Sequence, residues 1–396
     1  MGFIRSERVS AAILLAAAAL GLLLANLPFG PALVHLADTP LPVPALGLDL
    51  TVREWISDGL LAIFFFIVAV ELKRELVAGD LSSPAKATLP AIAALGGVAA
   101  PALIYAGITA SSGAGHVNGW PIPTATDIAF ALGVLAIFGR AIPQRVRTFL
   151  LALAVLDDLI AILIIAFFFT DQVHLPALAG GAVAVAVFWM LSRLLGPRAR
   201  RELGRPRHHA VVVAMALTAL AAWACVAAAG VHPTIAGVAL GLAAARRPAG
   251  HAATVLEPYS NGIVLPLFAL SAALVPIPTV GVANLSPAFW GIVVALPVGK
   301  FVGITAAGWV SGRLAARRGQ QVLSGGDIVT VACLGGIGFT VALLMNTLAF
   351  AGDRTLSDEG TLAVLIGSGI AIVVSGVVVT LRSRGYERRM RAASAE

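Results

Sequence analysis

The sequence predicts an all-α polytopic membrane protein of twelve transmembrane helices, built from inverted repeats in which two helices, spans 4 and 11, are discontinuous and cross. Three observations lead there: the apolarity of the chain, the alternation of its basic residues between successive apolar runs, and one Pro- or Gly-interrupted run in each half. Of 396 residues, 59% are hydrophobic and 12% are charged, and the mean hydropathy is +0.94. So few charges cannot coat a water-soluble surface. No long polar stretch separates the apolar runs, so residues 1–396 are expected to form a single integral membrane unit.

A helix needs about 20 apolar residues to cross about 30 Å of hydrocarbon. Windows of that length centre near residues 18, 64, 98, 132, 158, 185, 218, 238, 268, 300, 338 and 372. The runs near 132, 238, 268 and 338 are short or interrupted by Pro and Gly, which leaves their ends open by several residues. The first run, 11–25, follows Arg5 and Arg8 as in a signal peptide, but no A-x-A cleavage site comes after it and an uncleaved helix is expected. Met1-Gly2 with Ser6 fits the myristoylation pattern, which would add nothing to a twelve-span anchor. Cys225 and Cys333 lie inside apolar runs, against a disulfide framework or a zinc site.

The basic residues orient these spans. Counting alternate segments, 24 of the 27 lysines and arginines fall on one side, from Arg5 and Arg8 to the five arginines that begin at Arg382. The other side has Arg53 and Arg354, and Lys300 stays inside a span. By the positive-inside rule both termini are cytoplasmic and the number of spans is even. The net charge of +7 is therefore a topology signal and not a nucleic-acid footprint.

An ionisable group at mid-bilayer costs on the order of 3 kcal/mol, so each such group is a candidate for function. Asp157 and Asp158 sit in the middle of the apolar run 148–169, where a loop would leave two helices too short to cross. Neighbours on a helix differ by about 100° in direction, so one carboxylate can face a cation while the other faces a fixed positive partner. Two carboxylates this close resist simultaneous ionisation and hold protons until a cation replaces them. Lys300, with about ten apolar residues on either side, needs a buried partner, and the aspartate pair is the best available. Asp127, after Pro121-Ile122-Pro123-Thr124-Ala125-Thr126, reads equally as an ordinary N-cap or as a site residue.

A second interrupted run, Gly335-Gly336-Ile337-Gly338-Phe339-Thr340, lies seven spans after the first, an odd offset that gives the two opposite orientations. Paired broken spans of this kind place half-helix ends at the midplane. There Asp127 offsets the positive N-terminal ends and Lys300 the negative C-terminal ends.

Val70-Glu71-Leu72-Lys73-Arg74-Glu75-Leu76, Thr126-Asp127-Ile128-Ala129-Phe130-Ala131-Leu132-Gly133, Leu156-Asp157-Asp158-Leu159, Gly230-Val231-His232-Pro233-Thr234, Gly299-Lys300 and the run Gly335 to Thr340 together resemble the NhaA sodium/proton antiporters, in order along nearly the whole chain. The resemblance implies a core bundle of spans 3–5 and 10–12 and a panel of spans 1–2 and 6–9 that mediates dimerisation. It implies electrogenic, pH-regulated export of Na+ and Li+ in exchange for H+, without a cofactor, across a bacterial inner membrane. Asp158 and Asp157 would be the cation and proton carboxylates, and Thr126 would line their site. Asp127 and Lys300 would balance the half-helices, with Lys300 also paired to Asp157. Glu71, Arg74, Glu75 and, more loosely, Glu257 would form a cytoplasmic pH-sensing funnel, and His232 matches another position linked to pH response. Without the resemblance, Glu71 to Glu75 reads equally as a juxtamembrane charge cluster, and His232 as a histidine near a helix start. Residues 41–53 match the family's dimerisation hairpin. Ala253 and Thr254 stand where the family carries acidic and histidine residues, a departure that bears on the pH-response profile. The stretch Phe268-Ala269-Leu270-Ser271-Ala272-Ala273-Leu274 lacks the family's asparagine and glycine, away from the ion site.

Three other functions compete. A sodium-coupled symporter would not need the adjacent carboxylates and Lys300. An intramembrane aspartyl protease using Asp127 and Asp157 lacks a G-x-G-D context and has no role for the lysine. A channel would pass ions without proton counterflow.

Overall fold

The computed structural model describes residues 7–43, 48–79, 81–112, 114–170, 173–195, 204–278, 284–316 and 323–393. Met1, Gly2, Arg5 and Ser6, residues 44–47 of the expected hairpin, and the loop arginines Arg198, Arg200, Arg201, Arg317 and Arg318 lie outside them. In chain order the helices are α1 (Glu7–Ala25), α2 (Gly30–Ala37), α3 (Val52–Ala78), α4 (Pro84–Thr109), α5 (Ile128–Phe138), α6 (Gln144–Phe168), α7 (Leu175–Leu194), α8 (Gly204–Ala228), α9 (Thr234–Ala243), α10 (Arg246–Tyr259), α11 (Leu265–Ala272), α12 (Pro287–Leu314), α13 (Gly325–Gly335), α14 (Phe339–Ala349) and α15 (Arg354–Ala393).

Eight of these helices are long and apolar enough to cross a membrane, and two bent pairs raise the number to ten. One pair is Gly115–Thr124 with α5, bent by 42°, and the other is α13 with α14, bent by 47°. The windows near 238 and 268 fall on shorter pieces. The ten-residue α9 covers the first, and α10 runs past Pro258 into a wide π turn, Ser260–Val264, before α11. Pro258 lacks the N–H that a regular helix would use, and such wide turns take up the mismatch.

Two strands, β1 (Pro40–Val43) and β2 (Leu48–Thr51), pair antiparallel with Pro42 opposite Asp49 and Leu41 opposite Leu50. Prolines two residues apart put both missing N–H groups on the free edge and leave Leu41 and Val43 to pair. A capping box at Thr51 and Glu54 then opens α3. Beside the hairpin, Asp38 binds Arg53 at 3.0 Å and Arg354 at 2.6 Å, and Arg53 also donates to the Ser271 carbonyl at 2.6 Å.

Small residues bring α4 and α12 into backbone contact. A Cβ on Gly303 would lie 2.0 Å from the Gly96 carbonyl oxygen, so any larger residue would force the helices apart. On α3, Lys73 donates to the carbonyls of Leu242 and Ala244 at 2.6 and 2.7 Å, satisfying the C-terminal end of α9. Arg8 of α1 does the same for the Ala136 carbonyl near the end of α5.

Candidate cation site

Asp157 and Asp158 lie midway along α6, 1% and 4% exposed. Lys300, with no exposed surface, follows the π turn Ala295–Gly299 in α12. Pro297 has no N–H to give, and the widened turn shifts the angular phase of the residue after it. The tight α4–α12 contact, where a Cβ on Gly299 would sit 2.5 Å from Pro101 Cα, fixes the backbone from which the lysine reaches out.

Asp157 Oδ2 accepts from Lys300 Nζ at 2.6 Å and from Thr126 Oγ1 at 2.7 Å. The Thr126 hydroxyl also lies 2.8 Å from the Gly335 carbonyl, so it sits between two acceptors with one proton to give. The other oxygen of Asp157 and Oδ1 of Asp158 are buried and have no donor among the described residues. A buried carboxylate oxygen without a donor is costly unless a proton or a cation occupies it. The hard oxygens gathered here (two carboxylates, a hydroxyl and a carbonyl) suit a small monovalent cation.

Asp127 is where the two bent pairs meet. Its Oδ1 accepts from Phe130 N at 3.1 Å and caps α5. Its Oδ2 accepts from Thr340 N at 3.1 Å and from Thr340 Oγ1 at 2.6 Å, in the first turn of α14. The Asp127 N–H donates to the Ile337 carbonyl at 2.6 Å. One carboxylate therefore faces the N-termini of both half-helices, where the helix dipole favours negative charge.

The remaining residues singled out from the sequence lie apart from this centre. Arg74 is exposed and 3.8 Å from Glu75, and Glu71 lies within electrostatic reach of Arg74, Glu75 and Glu257. His232, just before α9, has its Nδ1 2.7 Å from Thr234 Oγ1 and its Nε2 3.7 Å from Asp58 Oδ1. Burial pushes its pKa down from 6.5 to about 4, so the ring is neutral at neutral pH. Sequence reasoning missed Thr340 and Asp327. Thr340 was quoted as part of a glycine-rich motif, and its link to Asp127 spans 213 residues. Asp327 has the signature of a plain helix cap.

The chain matches the family model described as Na+/H+ antiporter 1 over residues 1–379. It belongs to that family. A Na(+)/H(+) antiporter NhaA 2 of Clavibacter michiganensis subsp. michiganensis is 58% identical over 391 residues, covering 98% of this chain and 94% of that protein. A Na(+)/H(+) antiporter NhaA of Streptomyces antibioticus is 44% identical over 397 residues, covering 97% of this chain and 79% of that protein. One of Tropheryma whipplei, strain Twist, is 43% identical over 389 residues, covering 98% and 96%. Membership of the Na+/H+ antiporter 1 family, together with the apolar helices, makes this a multi-pass bacterial membrane protein.

Proposed function

We propose that the protein is an electrogenic antiporter of the bacterial inner membrane, exporting Na+, and Li+ by the same chemistry, in exchange for H+ by alternating access at Asp157 and Asp158. The observation that carries this reading is the asymmetry of the pair. Lys300 and Thr126 occupy one oxygen of Asp157, while Asp157 Oδ1 and Asp158 Oδ1, on residues adjacent in sequence, are buried with no donor among the described residues. Those two oxygens take protons on one half of the cycle and a cation on the other. Thr126 offers a further oxygen to the cation, and Asp127 and Lys300 hold the charge balance of the crossed half-helices. No resident cofactor takes part.

Around this site, the same reading has twelve spans, with α9 and the run from α10 to α11 completing the ten of sufficient length. Spans 3–5 and 10–12 form the core bundle, and spans 1–2 and 6–9 form the panel, paired with a second copy through the hairpin at 41–53. The arginine-rich side is cytoplasmic and holds both termini. Glu71, Arg74, Glu75 and Glu257 tune the response to cytoplasmic pH, and His232, on the opposite side, takes part in the pH response only at acid pH.

The test is sodium-dependent proton movement in everted membrane vesicles containing the chain, alongside Asp158→Asn and Asp157→Asn. Exchange by the unsubstituted chain and none by either inserted variant is expected, and full exchange by both variants would sink the assignment. Two protons per Na+ move net charge, so an imposed potential supplies about 2.3 kcal/mol per elementary charge per 100 mV and drives Na+ against its gradient. Sodium flow indifferent to the potential would make exchange electroneutral and one aspartate structural.

A further inference from the structure

At the start of α13 the sequence Ser324-Gly325-Gly326-Asp327 forms a capping box: Ser324 N donates to Asp327 Oδ2 at 3.3 Å, and Asp327 N donates to Ser324 Oγ at 3.3 Å. Nothing more is needed to cap a helix, and a capping carboxylate ordinarily stays in water. Asp327 does not. Its side chain has no exposed surface, and it makes five further contacts with two other helices. Arg382 of α15 donates to Oδ1 from Nε at 3.1 Å and from Nη2 at 3.0 Å, and also reaches Ser324 Oγ. Tyr386, one turn further along α15, lies 2.8 and 2.9 Å from the two oxygens. Arg145, in the first turn of α6, approaches Oδ2 at 3.6 Å. Gly326 makes room for this arrangement, since a Cβ there would lie 2.8 Å from the Arg382 guanidinium.

We infer that Asp327 is a positioning residue for the cation site. α6 carries Arg145 at one end and Asp157 about 18 Å further along its axis, at 1.5 Å per residue. α13 carries Asp327 at one end and Gly335 about 12 Å further along. The same two helices are linked again midway along α6 and at the last residue of α13, where the Thr126 hydroxyl lies between the Gly335 carbonyl and Asp157. They are thus joined at two levels, by a buried carboxylate with two arginines at one and by a threonine hydroxyl at the other. Helices are stiff along their axes, so a slip of α13 at Asp327 appears at Gly335, and Thr126 loses one of its two acceptors or shifts on Asp157.

This inference rests on the reading of Asp157 and Asp158 as the exchange site, and its test separates the two. Apparent KM for Na+ and maximal rate per inserted molecule are measured in everted vesicles for the unsubstituted chain, Asp327→Asn, Arg145→Gln and Gly326→Ala. Protein amount and thermal stability in detergent are measured beside them. Asp327→Asn keeps the shape but removes the charge, and Gly326→Ala keeps every charge but pushes the guanidinium aside. The expected result is a rise in apparent KM of about three- to tenfold for Asp327→Asn, less for Gly326→Ala, with maximal rates near the unsubstituted value. If Asp327→Asn fails to insert, the other two variants carry the same expectation. Variants that lose stability or rate at unchanged KM make the cluster purely structural and overturn the inference, as do variants unchanged in both. An unsubstituted chain that exchanges nothing overturns the function itself.

Discussion

At the first break the chain leaves its helix through Thr124-Ala125-Thr126-Asp127, and at the second through Gly336-Ile337-Gly338. The first break works through side chains: the Thr126 hydroxyl reaches Asp157, and the Asp127 carboxylate caps two helices. The second works mostly through backbone: the Gly335 carbonyl takes the Thr126 hydroxyl, the Ile337 carbonyl takes the Asp127 N–H, and Thr340 adds its hydroxyl to its own N–H on Asp127. Polar side chains on both strands would compete for the same few donors, and bulk on both would hold the breaks apart. A meeting of two broken helices therefore needs chemistry on one partner and thinness on the other. The first break should be sensitive to polarity, the second to volume.

Asp127→Ala gives the largest effect. It uncaps α5, strips Thr340 N and Oγ1 of their acceptor, and leaves these groups buried, which costs about 2–4 kcal/mol. Thermal unfolding in detergent measures this, and Asp127→Asn, which keeps one acceptor oxygen, should lose about half as much. Equal losses for the two would mean that the charge matters and the geometry of capping does not.

Volume at the second break comes next, with an order that simple distance would invert. A Cβ on Gly335 would lie 2.5 Å from Ile304 Cδ1, the movable tip of a side chain. A Cβ on Gly338 would lie 3.0 Å from the Ala125 carbonyl oxygen, part of the first break's own backbone. Gly338→Ala should therefore cost about 1–2 kcal/mol and Gly335→Ala less, because a rotamer gives way more readily than a backbone. If unfolding ranks them the other way, the breaks are not held in backbone contact.

At neutral pH the smallest effect lies away from both breaks, because it appears only as the pH falls. His232 is held at a pKa of about 4 by burial, below its ordinary 6.5, so the unfolded chain binds this proton more readily than the folded one. The stability that the neutral ring contributes is whole above about pH 6.5, declines as pH falls, and is gone below about pH 4. Melting temperature followed from pH 7 to pH 4 should fall more steeply for the unsubstituted chain than for His232→Gln. Parallel curves would remove His232 from the acid response.

The charges stood out in the sequence because an apolar run makes each one expensive. Asp157, Asp158 and Lys300 needed no partner in view to be noticed. The breaks were visible for a related reason, since Pro and Gly in a run that must stay helical mark where it does not. Distant partners were not visible. Asp127 reads as a cap for the helix that follows it, and nothing nearby says that Thr340 shares the same carboxylate. Lys73 looked like one more charge in a juxtamembrane cluster, yet its partners are carbonyls about 170 residues on. The windows at 238 and 268 gave apolarity without length, because hydropathy does not register the π turn that follows Pro258.

The pairing at Asp38 bears on how an ion leaves. By the count of loops, Arg53 and Arg354 are the basic residues on the side opposite the arginine-rich loops, and both are held against Asp38. Asp38 offsets one of these two charges, and together with Asp49, Glu54, Asp353 and Asp358 the acidic residues on that face outnumber the arginines, so the field over it is negative. On the proposed reading, a monovalent cation released on that face would meet attraction instead of an arginine barrier. Salt screens such fields over about 8 Å at physiological ionic strength, but it does little to charges already in contact. The two ion pairs at Asp38 therefore keep both arginines engaged where salt screens the rest of that face.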